Sequence, residues 1–215
     1  HDEMNRREPV EPDLHTPPQV AEKSTFPENL RTLIASERCF RLFYSMLTIG
    51  TFVLTPQEVD KRKEYLEITP ADEARLKSAH AFLVKHVPEI IDRFYEYLLG
   101  HEHPRRMLEA PGMVERLKKL QTQYFIELTS GDYGLAYCEN RFRVGQVHHR
   151  IGLAPEWYLG AYVKYLHIAS DVLSNSFGRD FERFYQTLGS LTKVIYLDMG
   201  LALDAYHYSG QAEKR

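Results

Sequence analysis

Cysteine is nearly absent: Cys39 and Cys138 are the only two in 215 residues, with no CxxC and no zinc-ribbon spacing. That excludes a disulfide framework and a cysteine-held zinc site. Cys138 falls in an apolar helical pattern and reads as a buried free thiol, as expected in a reducing compartment. An excess of one charge is also missing. Lys and Arg number 27 against 30 Asp and Glu, and the signs are interspersed, so no basic patch argues for nucleic acid. The longest apolar run, FRLFYSMLTIGTFVL at 40–54, is too short to cross a bilayer and carries Arg41, and the chain start lacks the regions of a signal peptide. The expectation is a cytoplasmic protein with neither membrane nor nucleic acid as partner. No stretch alternates with period two, so strands are not expected. There is no P-loop, GxGxxG, GxSxG or HExxH. No Glu has a His three positions later, which excludes a di-iron carboxylate bundle.

What is present is helical punctuation. Residues 1–28 hold five of the eleven prolines and many charges, and read as a disordered leader. Residues 29–55 form an extension with apolar clusters around Leu33 and Phe43. Thr55-Pro56 starts a short helix to about Leu66. Thr69-Pro70 caps a second, with Leu76, Ala79, Phe82 and Leu83 on its buried face. Pro88 is expected to open a third, with Ile91, Phe94, Tyr95 and Leu98 at i, i+3, i+4 and i+7. His103-Pro104 and Pro111-Gly112 bracket a short turn of helix. A helix over 113–130 carries Leu117, Leu120, Tyr124 and Leu128 on one side. Gly131 and Gly134 interrupt before the next helix, and two long helices follow, over 155–177 and 179–208. The fold class is all-α, with about eight helices.

The last two helices each show two apolar stripes. In the first these are Tyr158, Tyr162, Tyr165, Ala169, Val172 and Leu159, Val163, Leu166, Ser170, Leu173, Phe177. In the second they are Leu188, Leu191, Ile195, Met199, Ala202 and Val194, Leu197, Leu201, Ala205, Tyr208. Helices apolar on two sides must be covered twice. A large core can cover both; a second copy of the chain, joined through these helices as a homodimer, can cover one.

Chemistry concentrates in RVGQVHHRIGLAPEWYLGAY, residues 143–162. His148 shares a helical face with Val144, Ile151 and Gly152. Gly152 can take the left-handed C′ conformation and Pro155 can restart the chain, so the helix ends sharply and aims its last inward side chain. An imidazole so held is either a satisfied core residue or a ligand. His149, about 100° around the helix, points elsewhere. Tyr95 is either a core tyrosine or a donor inside an apolar cavity built with Phe94, Leu117 and Leu120. His101 and His103 sit in a solvated turn or chelate a metal. Arg105, Arg106, Lys118 and Lys119 are solvated pairs or partners for a cofactor's acidic groups.

The element His148-His149-Arg150-Ile151-Gly152-Leu153, followed by Pro155, Trp157-Tyr158 and Gly160-Ala161-Tyr162, resembles the haem-binding globin domain of bacterial globin-coupled sensors: aerotaxis transducers, globin-linked diguanylate cyclases and histidine kinases, and their protoglobin relatives. The likeness extends over about 56–208, including KEYLEITPAD at 63–72 and the Phe94-Tyr95-x-x-Leu98 motif. It implies a globin-like fold with a pre-globin helix and long C-terminal helices forming a dimeric four-helix interface. It implies haem b as cofactor, His148 as its proximal iron ligand and Tyr95 as the distal tyrosine. It sets Phe94, Leu117 and Leu120 along the distal pocket, Trp157 and Tyr158 on the proximal side, and Tyr124, Val144, Ile151 and Tyr162 against the cofactor. Leu120 stands where some relatives have a polar residue, leaving one distal donor rather than two. The implied function is an O2 sensor, able also to take CO or NO, that is not itself an enzyme; residues 209–215 would begin a linker to an output domain outside this chain. The alternative is a stand-alone protoglobin-like haem protein acting on O2, NO or peroxide.

Overall fold

The computed structural model describes residues 54–212. The expected leader, residues 29–53 of the extension with Cys39, and residues 213–215 lie outside the described residues. Among the described residues there are seven helices and no strand: α1 Pro56–Tyr65, α2 Pro70–Leu99, α3 Glu102–Met107, α4 Met113–Leu128, α5 Leu135–Arg150, α6 Pro155–Phe177 and α7 Phe181–Ala212. None of them is long and apolar enough to cross a membrane.

The first two helices start where the sequence places them. Thr55 and Thr69 each form a capping box with the acidic residue three positions on, Glu58 and Asp72, and each is followed by proline. At the second box Asp72 is buried and also accepts from Ser190 Oγ of α7 at 2.8 Å, Arg75 Nη1 at 2.8 Å and Lys193 Nζ of α7 at 3.2 Å. Burial alone would raise its pKa. The hydrogen bonds from Thr69, Ser190 and Lys193 outweigh burial and hold the carboxyl well below the usual range. A local helix cap therefore doubles as the clamp between α2 and α7.

Pro88 does not open a new helix. It lies inside α2, on an exposed face, and the chain runs helical through it from residue 70 to 99. An internal proline costs about 3 kcal/mol through its missing N–H and the clash one turn back. Ile90, Ile91, Phe94 and Tyr95 beyond it are all buried, and each such side chain contributes roughly 1.5–3 kcal/mol. Continuing the helix is what puts them in the core, so burial wins. The final helix likewise runs past the expected end at Tyr208, to Ala212.

The core lies between α2, α4, α5, α6 and α7. A very close approach joins α5 to α7 at Gly145, where a Cβ would stand 2.6 Å from Ala202 Cα and 2.8 Å from Ala205 Cβ. Any side chain there would push the two helices apart.

Both stripes expected to divide α7 between core and partner are largely buried in the chain itself. Leu191, Ile195, Ala202, Val194, Leu197, Leu201 and Ala205 are all covered. Of the apolar side chains that α7 leaves exposed, Tyr208 ends the second stripe, while Phe181, Tyr185, Tyr196 and Leu203 form a third line. Of the two stripes on α6, the tyrosine stripe faces the core, while Val163 of the other is 54% exposed. Periodicity marked two faces, and α2, α4, α5 and α6 pack against α7 to cover most of both.

Candidate functional site

The α5 helix ends in a Schellman motif. Gly152, at φ +74°, donates to the His149 carbonyl at 2.9 Å, and Leu153 donates to the His148 carbonyl at 3.1 Å. The motif fixes the last turn and the ring it carries. His148 Nδ1 donates to the Val144 carbonyl at 2.8 Å. That bond commits the proton to Nδ1 and leaves the lone pair on Nε2. Burial lowers the pKa of His148, partly offset by the bond to Val144, so the neutral ring is favoured.

His148 stands on the wall of a partly open cavity of about 440 Å³ between α2 to α6, mainly lined by apolar and aromatic side chains. Its size and lining are those of a small-molecule or cofactor site. The structure places all eleven residues that the sequence singled out on that wall: Phe94 and Tyr95 from α2; Leu117, Leu120 and Tyr124 from α4; Val144 and His148 from α5; Ile151 just beyond it; and Trp157, Tyr158 and Tyr162 from α6. Leu120 and Trp157 are partly exposed. Tyr95 is buried, and burial holds its hydroxyl far above the usual tyrosine pKa, so it remains a protonated donor. The Tyr158 ring packs against the His148 ring at a centroid distance of 4.8 Å.

The remaining candidates lie elsewhere. His103 stacks on Trp157 at 4.9 Å, and His101 meets the edge of Tyr97 at 4.5 Å. Among the described residues no group of three His, Cys, Asp or Glu could hold a metal. Arg106 pairs with Glu102 and Lys118 with Asp92; neither lines the cavity, nor do Arg105 and Lys119. His149 packs edge-on against Tyr206.

Beside the cavity is a polar cluster that the sequence pattern did not reveal. Asp198 of α7 is fully buried and accepts from Tyr137 at 2.8 Å and from Tyr124 at 2.5 Å. Tyr124 also bonds Tyr162 at 2.5 Å, and Tyr162 bonds Tyr158 at 2.9 Å. Each hydroxyl has one proton. Since Tyr124 gives its proton to the carboxylate, Tyr162 must donate to Tyr124 and Tyr158 to Tyr162. One carboxylate on α7 thus orients a chain of hydroxyls that ends under His148. Burial pushes Asp198 up to about 6, against the pull of Arg141 and of the hydroxyls of Tyr124 and Tyr137. It is therefore ionised at neutral pH. Arg141, also buried, lies 3.3 Å from Asp198 through Nε and is sandwiched between the rings of Tyr124 and Tyr137 at 3.9 and 4.3 Å. A signal existed: Arg141 falls on the stripe of Val144 and His148, and Asp198 interrupts an apolar stripe. Pairing them needed the fold.

A family model described as Protoglobin matches residues 55–212. Among curated proteins, the chain is 28% identical over 126 residues to the heme-based aerotactic transducer HemAT of Halobacterium salinarum; the match takes in 54% of this chain and 26% of the transducer. The chain thus spans about a quarter of that relative's length. Among solved structures, the globin domain of the Geobacter sulfurreducens globin-coupled sensor superposes with a TM-score of 0.65 at 23% identity, covering 72% of this chain and 99% of that one. This last likeness establishes the globin-like fold.

Proposed function

The chain belongs to the protoglobin family, and we propose that it is a haem-binding gas sensor domain, for O2 above all, that reports ligand state through a homodimer to an output module. The observation that carries the proposal is the His148 ring, whose Nδ1 is committed to Val144 and whose Nε2 lone pair is thereby left free at the wall of an apolar cavity. A single neutral imidazole suits an iron whose other in-plane ligands come from a porphyrin, and no protein metal cluster competes among the described residues. When bound, haem b supplies a ferrous iron at which O2, CO or NO can coordinate.

The chain's own residues do the rest. His148, in its fixed tautomer, would hold the cofactor. Phe94 and Leu117 would keep the pocket dry, with the partly exposed Leu120 beside them. The Tyr95 hydroxyl donates to the gas, favouring the more polarised O2 over CO. We take this segment to act by binding rather than by turnover.

Reporting requires that ligation favour one arrangement of the protein over another. The hydroxyl chain from Tyr158 to Asp198 is a contiguous route from the proximal side into α7. On α7, Phe181, Tyr185, Tyr196 and Leu203 present exposed apolar side chains that suit a second copy. The aerotactic transducer is about four times as long as its matched stretch, which supports reading residues 56–208 as a sensor module and residues 209–215 as the start of the path to its output. Cytoplasmic placement belongs to the same proposal and is supported by the buried free thiol of Cys138.

The test is anaerobic hemin titration of the 215-residue chain and its His148→Ala variant, read by visible absorption. Wild type should take up hemin stoichiometrically and shift its spectrum with O2 and CO, whereas the variant should lose the haem spectrum. Wild-type protein that stays colourless would sink the proposal.

A further inference from the structure

Tyr165, on α6, is 3% exposed and lines the same cavity. Its ring stacks on Phe94 at a centroid distance of 4.1 Å, and Phe94 in turn meets Tyr95 edge-on at 5.7 Å. Phe94 thus bridges Tyr165 and Tyr95, and both line the cavity. Its hydroxyl is shielded from solvent and makes no hydrogen bond of ordinary geometry, although the Gln121 side chain lies within its reach. Buried tyrosine hydroxyls usually find a partner, and an orphan one is a cost the fold must carry. Phenylalanine would fill the same space without that cost. The neighbouring tyrosines on α6 show the contrast, since Tyr158 and Tyr162 both have their hydroxyls engaged.

We infer that the Tyr165 hydroxyl is a second hydrogen-bond donor to the gas held in this cavity, acting alongside Tyr95. The inference rests on the haem-binding proposal. It revises the expectation that a pocket with Leu120 has a single donor: the second comes from α6 rather than from α4. Two donors from different helices hold a polarised diatomic gas more tightly than one, and discriminate more strongly against CO.

The test compares the hemin-loaded chain with its Tyr165→Phe, Tyr95→Phe and doubly substituted variants, by O2 and CO dissociation kinetics. Tyr165→Phe should speed O2 loss roughly five- to tenfold, the worth of one net hydrogen bond, and change CO loss much less. The double variant should lose O2 faster than either single one. Thermal unfolding of the haem-free chain gives an independent readout. Tyr165→Phe should unfold at the same or a higher temperature, because the hydroxyl has no protein partner to lose. A lower unfolding temperature would mean that the hydroxyl is already satisfied within the protein, and would overturn the inference. So would unchanged O2 loss in a variant that still loads haem. A wild-type chain that takes up no hemin would instead bring down the haem-binding proposal, and this inference with it.

Discussion

His148 makes its hydrogen bond within its own last turns, to a carbonyl four residues back. That is why its aim could be read from local sequence: the stripe, the Gly152 stop and the Pro155 restart all lie within seven residues of it. Tyr95 was legible only as a member of an apolar stripe; its donor role came from the family resemblance. On the proposed donor role, Tyr95→Phe removes a hydrogen bond of about 1–2 kcal/mol, so O2 loss should accelerate roughly five- to thirtyfold and CO loss less. Stopped-flow dissociation of both gases checks this, and equal acceleration would count against a donor role. Tyr165 and Arg141 were not legible as site residues. Each looked like one more member of a stripe until the partners that they have, or lack, were in place.

The elements follow their punctuation except where burial overrules it. Thr55-Pro56 and Thr69-Pro70 start helices because a threonine cap and a following proline are both local devices. Pro88 is the same signal with the opposite outcome, because the apolar residues after it continue the face of those before it. Asp72 shows how a cap gains a second task. Its folded pKa lies below the unfolded value, so the stability it contributes is fully present above about pH 4 and fades as the pH falls below that. Asp72→Asn should lower stability at neutral pH by about 1–3 kcal/mol, since a capping box, the buried Ser190 hydroxyl and the half-buried Arg75 and Lys193 lose their charged acceptor. It should also flatten the acid limb of the pH–stability curve. Denaturant unfolding between about pH 3 and pH 7 tests both, and an unchanged acid limb would assign that limb to other carboxyls.

At the scale of the whole molecule, the question is which apolar faces the chain covers by itself. It covers nearly all those that periodicity marked on α7, and leaves a line through Phe181, Tyr185, Tyr196 and Leu203. The 11-residue step from Tyr185 to Tyr196 and the seven-residue step to Leu203 keep this line on one side of the helix. Tyr196, 56% exposed, lies within it. If the proposed homodimer joins through this line, Tyr196→Asp should leave haem uptake and its spectrum intact while shifting the protein from dimer to monomer. Sedimentation velocity at several concentrations reads this directly, and a dimer that survives the charge would place the interface elsewhere.

The amino-acid sequence alone determined that the chain is helical, where most helices begin and stop, and which histidine and tyrosine face an apolar interior. Those are matters of caps, helix stops and a 3.6-residue period, settled within a few turns. Only the tertiary structure decided that α2 passes through Pro88, that Asp198 gathers the hydroxyls of Tyr124 and Tyr137 from 74 and 61 residues away, and that the Tyr165 hydroxyl is left unpaired beside the cavity. The reason is physical: burial and hydrogen-bond satisfaction depend on what other helices bring to a position, and no periodicity within one helix encodes its neighbours.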